Sequence, residues 1–517
     1  MHWHPDRRVI FKKVKKVTLG IILCLHILYI YSLLYAMPAR LPIQSKSPFH
    51  LDSKPLDEMG SPHAGLLAAS RALRSLNVPV LADTNLQIKS RQRGFPPGQS
   101  VESILLLQIA GGDCPEDMSL FEGDVCLERG LGYALPKART LRDFLDRFHD
   151  ESLEAMRPER EVQKAFIVPS SSGVAGLQEV QVGTVRRVAK QYEQAGEGVR
   201  IATIDQDATI IESHKQSALF HYAGGRGYQP MVAVWAEADL VVADEFRDGN
   251  VCAKQEPLTC AQMAFAALPE TVERRYFRGD SACHENDLIQ WLKHSDRAKE
   301  KGGAIGFAIS AMMSAALQKA VEQVSDNQWK TIKTEADGTL RQWAEVDFVP
   351  GERGEKKDSK PLRYVGLRLL KPQGVLFADG SDRHHHAVVT NLDWAGERLL
   401  QWHREKAGTV EQVHDEVKNA LGGGHMPSQH FNANAAWFKL ALISYNIVSA
   451  MRRLCLNAQE RSVRLKKFRL LVIHLAGRMS RFQCTLRLRF CAPKESIDRV
   501  MKIWEVFALP TQATAFS

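Results

Sequence analysis

A chain of 517 residues is several times longer than one hydrophobic core requires, so two or three domains are expected and a disulfide-stapled miniprotein is excluded. With 44% hydrophobic, 25% charged and 8% aromatic residues, the composition is that of a packed globular protein, neither disordered nor fibrous. The formal charge of +9 is a mild excess that becomes informative only through where it is concentrated. Nine cysteines, an odd number with no C-x-x-C pair and no zinc-ligand spacing, read as free buried thiols in a reducing compartment.

Val17 to Met37 form an almost uncharged apolar run behind Arg7, Arg8, Lys12, Lys13, Lys15 and Lys16, the pattern of a transmembrane segment or signal anchor. An exported body conflicts with the cysteine usage. The conflict resolves if translation begins downstream, for example at Met37; otherwise residues 17–37 are a genuine membrane anchor. Residues 1–46 are therefore set apart as a basic and apolar extension.

Residues 47–198 read as helical. Apolar stripes run through Gly65 to Ala69 and through Val101, Ile104, Leu105, Leu107 and Ile109, separated by a Pro96-Pro97-Gly98 turn with Ser100 as a cap candidate. Leu141, Phe144, Leu145 and Phe148 fall on one face of an amphipathic helix. After Gln194 the texture changes to strands: Val199 to Ile204, Met231 to Trp235 and Ala238 to Ala243 in succession. A helix near Cys260 to Leu268, a strand from Val272 to Asp280, a helix from Glu285 to Lys293 and a strand from Ala304 to Ser310 follow, which together imply a mixed sheet. A stretch of short strands follows, divided by the charged loop 351–360, with Arg363 to Leu370 and Ala387 to Asn391 the clearest, and helix resumes from Thr409 through Phe438 to Asn446.

The charge is concentrated at the C-terminal end. Between Arg452 and Lys502 lie 14 lysines and arginines against three acids, an excess of 11 that exceeds the whole chain's +9. Such density beside apolar residues is the footprint of a polyanion partner.

Three acids carry the chemistry: Asp207, Asp280 and Glu411. The first two stand where strands end, and an acid there needs a cation or solvent to compensate its desolvation. Hard oxygen donors of this kind suit Mg²⁺ completed by substrate phosphate, and two such ions divide the work of an in-line displacement at a phosphodiester. Glu411, Asp415 and Lys418 share one helical face, so a helix across the sheet can bring Glu411 to the metal and Lys418 to a phosphate. Asp205 rivals Asp207, since residues two apart on a strand face the same side; the Ala208-Thr209 context favours Asp207.

These residues carry a resemblance. The chain resembles the DDE transposases of bacterial insertion sequences, most closely the thirteen-eighty family, with its Asp-x-Asp-Ala-Thr strand, Arg-x-Asp-Ser strand and Glu-bearing helix. The likeness runs from about Ser61 to Ala492 and includes Ala378 to Ser381, Ala387 to Asn391, Lys406 to Glu411 and Ala433 to Phe438. It implies an α/β, ribonuclease-H-like mixed-sheet catalytic core over residues 199–440 with a β-rich insertion at about 311–400. Helical regions flank that core: a DNA-end-binding region at 47–198 and a basic C-terminal region at 441–517. It implies the triad Asp207, Asp280 and Glu411, holding Mg²⁺ for which Mn²⁺ can substitute. The separations of 73 and 131 residues fit, because the second must house the insertion.

Related transposases carry a Tyr, two residues, Arg, three residues, Glu, six residues, Lys signature. Here Glu411 and Lys418 keep their offset, while Arg404 and Ala407 stand at the first two positions, so Arg404 or Lys406 is expected to take over phosphate positioning, with Arg278 and Lys418 as further phosphate contacts. The implied reaction is Mg²⁺-assisted hydrolysis at the element's ends, then attack of the freed 3′-hydroxyl on target DNA. The implied partners are double-stranded DNA, as terminal inverted repeats and as target, and a second copy in the synaptic complex; the implied location is the cytoplasm, at the nucleoid. Two other readings share the sequence features: a ribonuclease-H-like nuclease that cleaves without joining, and a membrane-anchored binding protein whose acids are structural. His384-His385-His386 is set aside as a metal site because adjacent strand residues alternate faces. Gly224, Gly225 and Gly227 read as a turn, and Gly422 to Gly424 as a helix C-terminus.

Overall fold

A computed structural model describes residues 59–88, 94–159, 165–350, 362–482 and 485–509. Residues 1–46, with the apolar run 17–37, lie outside the described residues, and among those described no helix is long and apolar enough to cross a membrane. Cys114, Cys252, Cys260, Cys283, Cys455 and Cys491 are free thiols.

Helices open the described chain: α1 (Leu66–Ser75), α2 (Val78–Asn85), α3 (Pro97–Ala110), α4 (Val125–Leu131), α5 (Ala138–Asp146) and α6 (Ser172–Gln194). Local chemistry sets their ends. Pro96 precedes the first turn of α3 and Gly111 closes it in the left-handed region, while Asp124 and Ser171 cap α4 and α6 through their side-chain oxygens. Helix α5 buries Leu141, Phe144 and Leu145 as its pattern predicts, and Phe148 is buried just beyond its end. Helix α6, at 23 residues, packs against α2 and against the strands that follow.

The strands β1 (Ile201–Ala208), β2 (Met231–Trp235), β3 (Leu240–Glu245), β4 (Arg274–Gly279) and β5 (Ile305–Ser310) form one side of a nine-stranded sheet in the order β3-β2-β1-β4-β5, with β3 at its edge. The first three make an antiparallel meander, and β4 and β5 run parallel to β1. Helices α7 (Pro257–Ala267) and α8 (Asn286–Lys293) supply the crossovers that parallel pairing requires. Every residue of β2 is buried, as expected of a strand covered on both faces. After α9 (Ala315–Glu322), four antiparallel strands, β6 (Lys330–Thr334), β7 (Leu340–Val346), β8 (Arg363–Leu370) and β9 (Arg383–Thr390), continue the same sheet, because β9 pairs with β5.

Helices α10 (Gly396–Arg404), α11 (Lys406–Ala420) and α12 (Phe431–Cys455) follow. Helix α11 ends where Gly422, at φ 69°, takes a left-handed turn. All residues of α12 except Arg453 are buried, so it is a central pillar rather than a surface helix.

The C-terminal region, expected to be helical, contains a hairpin of β10 (Gly477–Phe482) and β11 (Thr485–Phe490), followed by helix α13 (Lys494–Val506). Its first strand, β10, also pairs with a two-residue strand at Gly60–Ser61 and so lies in the middle of a three-stranded sheet. The reason is the alternation Leu486, Arg487, Leu488, Arg489, Phe490, a period of two that a count of charges passes over.

Candidate active site

The register of β1 and β4 builds the site. Asp205 lies opposite Arg278 and Gln206 opposite Gly279, so the next residues, Asp207 and Asp280, stand side by side at the C-terminal ends of two adjacent parallel strands. Such ends are where open α/β sheets hold their ligands. Asp207 and Asp205 share a face, as strand alternation requires, and that face is covered by α11.

The two acids meet different fates. Asp205 is fully buried and doubly bonded by Arg278, whose Nε lies 2.6 Å from Oδ1 and whose Nη2 lies 2.8 Å from Oδ2. The Thr409 hydroxyl donates to the same carboxylate. Arg278 spends its Nη1 on the Trp402 carbonyl at 2.6 Å and on Glu405 at 3.2 Å. Arg278, expected to hold phosphate, here has its donors engaged within the protein as a buried clamp that fastens the α10–α11 junction to the sheet, joined there by His403, whose Nε2 lies 3.0 Å from the Gly279 carbonyl.

Asp207, in contrast, is partly open, with Lys406 Nζ 3.3 Å from Oδ2. Lys406 was expected on phosphate; its side chain is instead buried against the acids. Burial opposes its charge, but the carboxylates of Asp207 and Asp280 prevail and hold the ammonium above the ordinary lysine range. Burial likewise pushes the Asp280 carboxyl above the usual aspartate range; Lys406 pulls it down and the Asp207 charge raises it again. Two crowded carboxylates thus draw a cation from the protein itself.

Asp280 and Glu411 line one cleft of about 890 Å³ together with Ser281, Met312, His386, His403, Arg404, Lys406 and Ala407. Glu411 and Arg404 are exposed on α11 and α10, facing this space. Lys418, further along α11, donates to the Ile210 carbonyl at 3.2 Å, just past the end of β1. Asp280 and Glu411 share this cleft and Asp207 stands beside Asp280, but among the described residues the oxygens of the three acids do not all lie within 4.8 Å of one another. An all-oxygen donor set, carrying an excess negative charge that Lys406 already answers, fits a hard divalent cation.

His384 bonds Asp379 at 2.9 Å and stacks on Phe377, and only His386 of the triplet reaches the cleft. Residues that pattern reading passed over include Thr409, His403 and Trp402, which lock α10 and α11 to the strands. No motif announces them, since their partners lie more than 100 residues away.

A 3-2-1-4-5 sheet with an antiparallel second strand, and acids at the ends of its first and fourth strands, defines a ribonuclease-H-like core. The family described as "Transposase DDE domain group 1" matches residues 61–508, and the chain belongs to it: it is a DNA-transposing enzyme that cleaves nucleic acid. No curated protein matches the chain significantly. Among solved structures, the "piggyBac transposase synaptic complex with hairpin DNA" is similar with a TM-score of 0.40, at 9% identity over 79% of this chain and 80% of that one.

Proposed function

We propose that the chain is the transposase of a bacterial insertion sequence of the thirteen-eighty type, cutting the element's ends and joining the freed 3′-hydroxyl to target DNA. The observation that carries this reading is the side-by-side placement of Asp207 and Asp280 against Lys406, with Glu411 facing the same cleft. In it Asp207, Asp280 and Glu411 hold Mg²⁺, or Mn²⁺ in its place. Bound there, the ion supplies activation of the attacking oxygen and stabilisation of the leaving one.

The protein's own residues do the remaining work. Lys406 balances the acids' charge, and with a divalent ion held by the acids its ammonium would be available to a phosphate. Arg404 on the cleft wall contacts the scissile strand's backbone, and Lys418 orients the end of β1 through the Ile210 carbonyl. Residues 47–198 recognise the terminal inverted repeats, the catalytic residues lie within 199–440, and a homodimer assembles the two ends. Of the C-terminal cations, exposed Lys466, Lys467, Arg481 and Arg489 contact DNA backbone, while Arg452 and Arg469 are buried in internal bonds. The enzyme acts at the nucleoid in the cytoplasm.

Asp280→Asn tests the reading, because it removes a ligand charge with almost no change of shape. We expect the variant to bind end-bearing duplex as the wild type does while cleavage and strand-transfer products vanish on a denaturing gel. Full cleavage by the variant would remove Asp280 from the mechanism. Wild-type protein that cleaves but never yields joined product would favour the nuclease instead.

A further inference from the structure

Away from the cleft, His149, Glu154 and His430 bring one ligand atom each within 4.8 Å of one another, and they are the one such group among the described residues. They come from three places. His149 follows α5, Glu154 ends a one-turn helix at Glu151–Glu154 capped by Asp150, and His430 is the residue from which α12 springs. The imidazoles stack with centroids 3.9 Å apart at 30°.

The polar bonding of this group is incomplete at one point. Nδ1 of His149 is buried with no hydrogen-bond partner and lies 3.7 Å from Oε2 of Glu154, beyond hydrogen-bond reach. Orphaned buried polar atoms are costly and uncommon, and one that faces a carboxylate beside a second imidazole is short of a shared cation. The carboxylate itself is held in place from behind. Oε2 accepts the Phe431 amide at 3.0 Å, and Oε1 accepts from Arg157, which in turn grips Asp248 at 2.7 and 3.0 Å. Support of that kind around a ligand is what orients metal sites.

We propose that His149, Glu154 and His430 form a binding site for a borderline divalent transition metal, of which Zn²⁺ is the natural occupant. Two imidazole nitrogens and one carboxylate oxygen are its preferred donor types, and the mixed set disfavours Mg²⁺. Bound there, the ion ties the segment after α5 to the start of the buried pillar α12, residues some 280 positions apart in the chain. It acts as a clamp between the helical region and the core, apart from any cation held by Asp207 and Asp280.

The test uses the full-length chain, titrated with Co²⁺ in saturating Mg²⁺ so that all-oxygen sites are occupied. We expect visible d–d bands that saturate at one equivalent, and a rise in Tm when Zn²⁺ is added to metal-stripped protein. His149→Gln and His430→Gln should each weaken Co²⁺ binding by about tenfold or more and abolish the Zn²⁺-dependent rise. Their metal-free Tm should stay at the wild-type value. Absence of a saturable band in the wild type, or equal binding by either folded variant, overturns the proposal. Because neither readout involves DNA, failure here leaves the transposase reading untouched.

Discussion

Two aspartates on one strand, two residues apart and facing the same side, are each answered by a buried cation, and they differ in almost everything else. Asp205 has a bidentate arginine, a hydroxyl donor and no exposure; Asp207 has one lysine contact at 3.3 Å and is partly exposed. The first pair satisfies itself, with a planar fork that matches a carboxylate and leaves nothing for a ligand. The second is a point charge at longer range, easily displaced by a harder and more highly charged ion. A completed ion pair builds the frame, and an incomplete one makes the site.

The comparison can be broken most forcefully at Asp205. Asp205→Ala leaves Arg278 buried without its bidentate carboxylate, with only Glu405 and the Trp402 carbonyl remaining, and we expect a stability loss of about 3 kcal/mol, read as a lower urea midpoint. Asp207→Ala should do the opposite. It should cost no more than about 1 kcal/mol of stability, since its contact is long and opens to solvent. End cleavage should fall by more than about 100-fold, beyond what loss of a supporting partner costs. If the two variants exchanged these phenotypes, the roles assigned to the two acids would be reversed.

A gentler probe is His414, buried on α11 between the lysines. Burial chiefly, then the charges of Lys418 and Lys406, lower its pKa to about 3. The folded state thus binds its proton more weakly than the unfolded chain, for which 6.5 is the ordinary value. The neutral imidazole is unstrained above 6.5; as pH falls from there toward 3, the unfolded state takes up the proton first and stability drops. We expect a slope of up to about 1.4 kcal/mol per pH unit in that window, absent from His414→Gln when the two denaturation profiles are subtracted. Superimposable profiles would show that α11 tolerates a charge at this position.

Much of this was legible in the sequence for a definite reason. Alternation through Met231 to Trp235, an acid closing the strand before Ser281, and Glu411 on a helical face are local patterns, and local periodicity is what backbone geometry imposes. The hairpin at Gly477 to Phe490 shows the same rule from the other side, since its period of two was present but masked by its arginines. Arg278 shows where locality ends. Its sequence neighbours suggest a strand-end cation available to phosphate, yet the parallel register of β1 and β4 sets it opposite Asp205 and uses up its donors.

By itself the sequence determined which segments became strands and helices, which acids stood at strand ends, and that the cationic excess lay near the C-terminus, because each is a property of neighbouring residues. Only the tertiary structure decided which aspartate was open, that Lys406 rather than solvent answered it, and that two histidines 281 residues apart would stack beside one glutamate. Those outcomes depend on register and on the packing of distant elements, where the energy of a charge is set by what surrounds it in space and not by what precedes it along the chain.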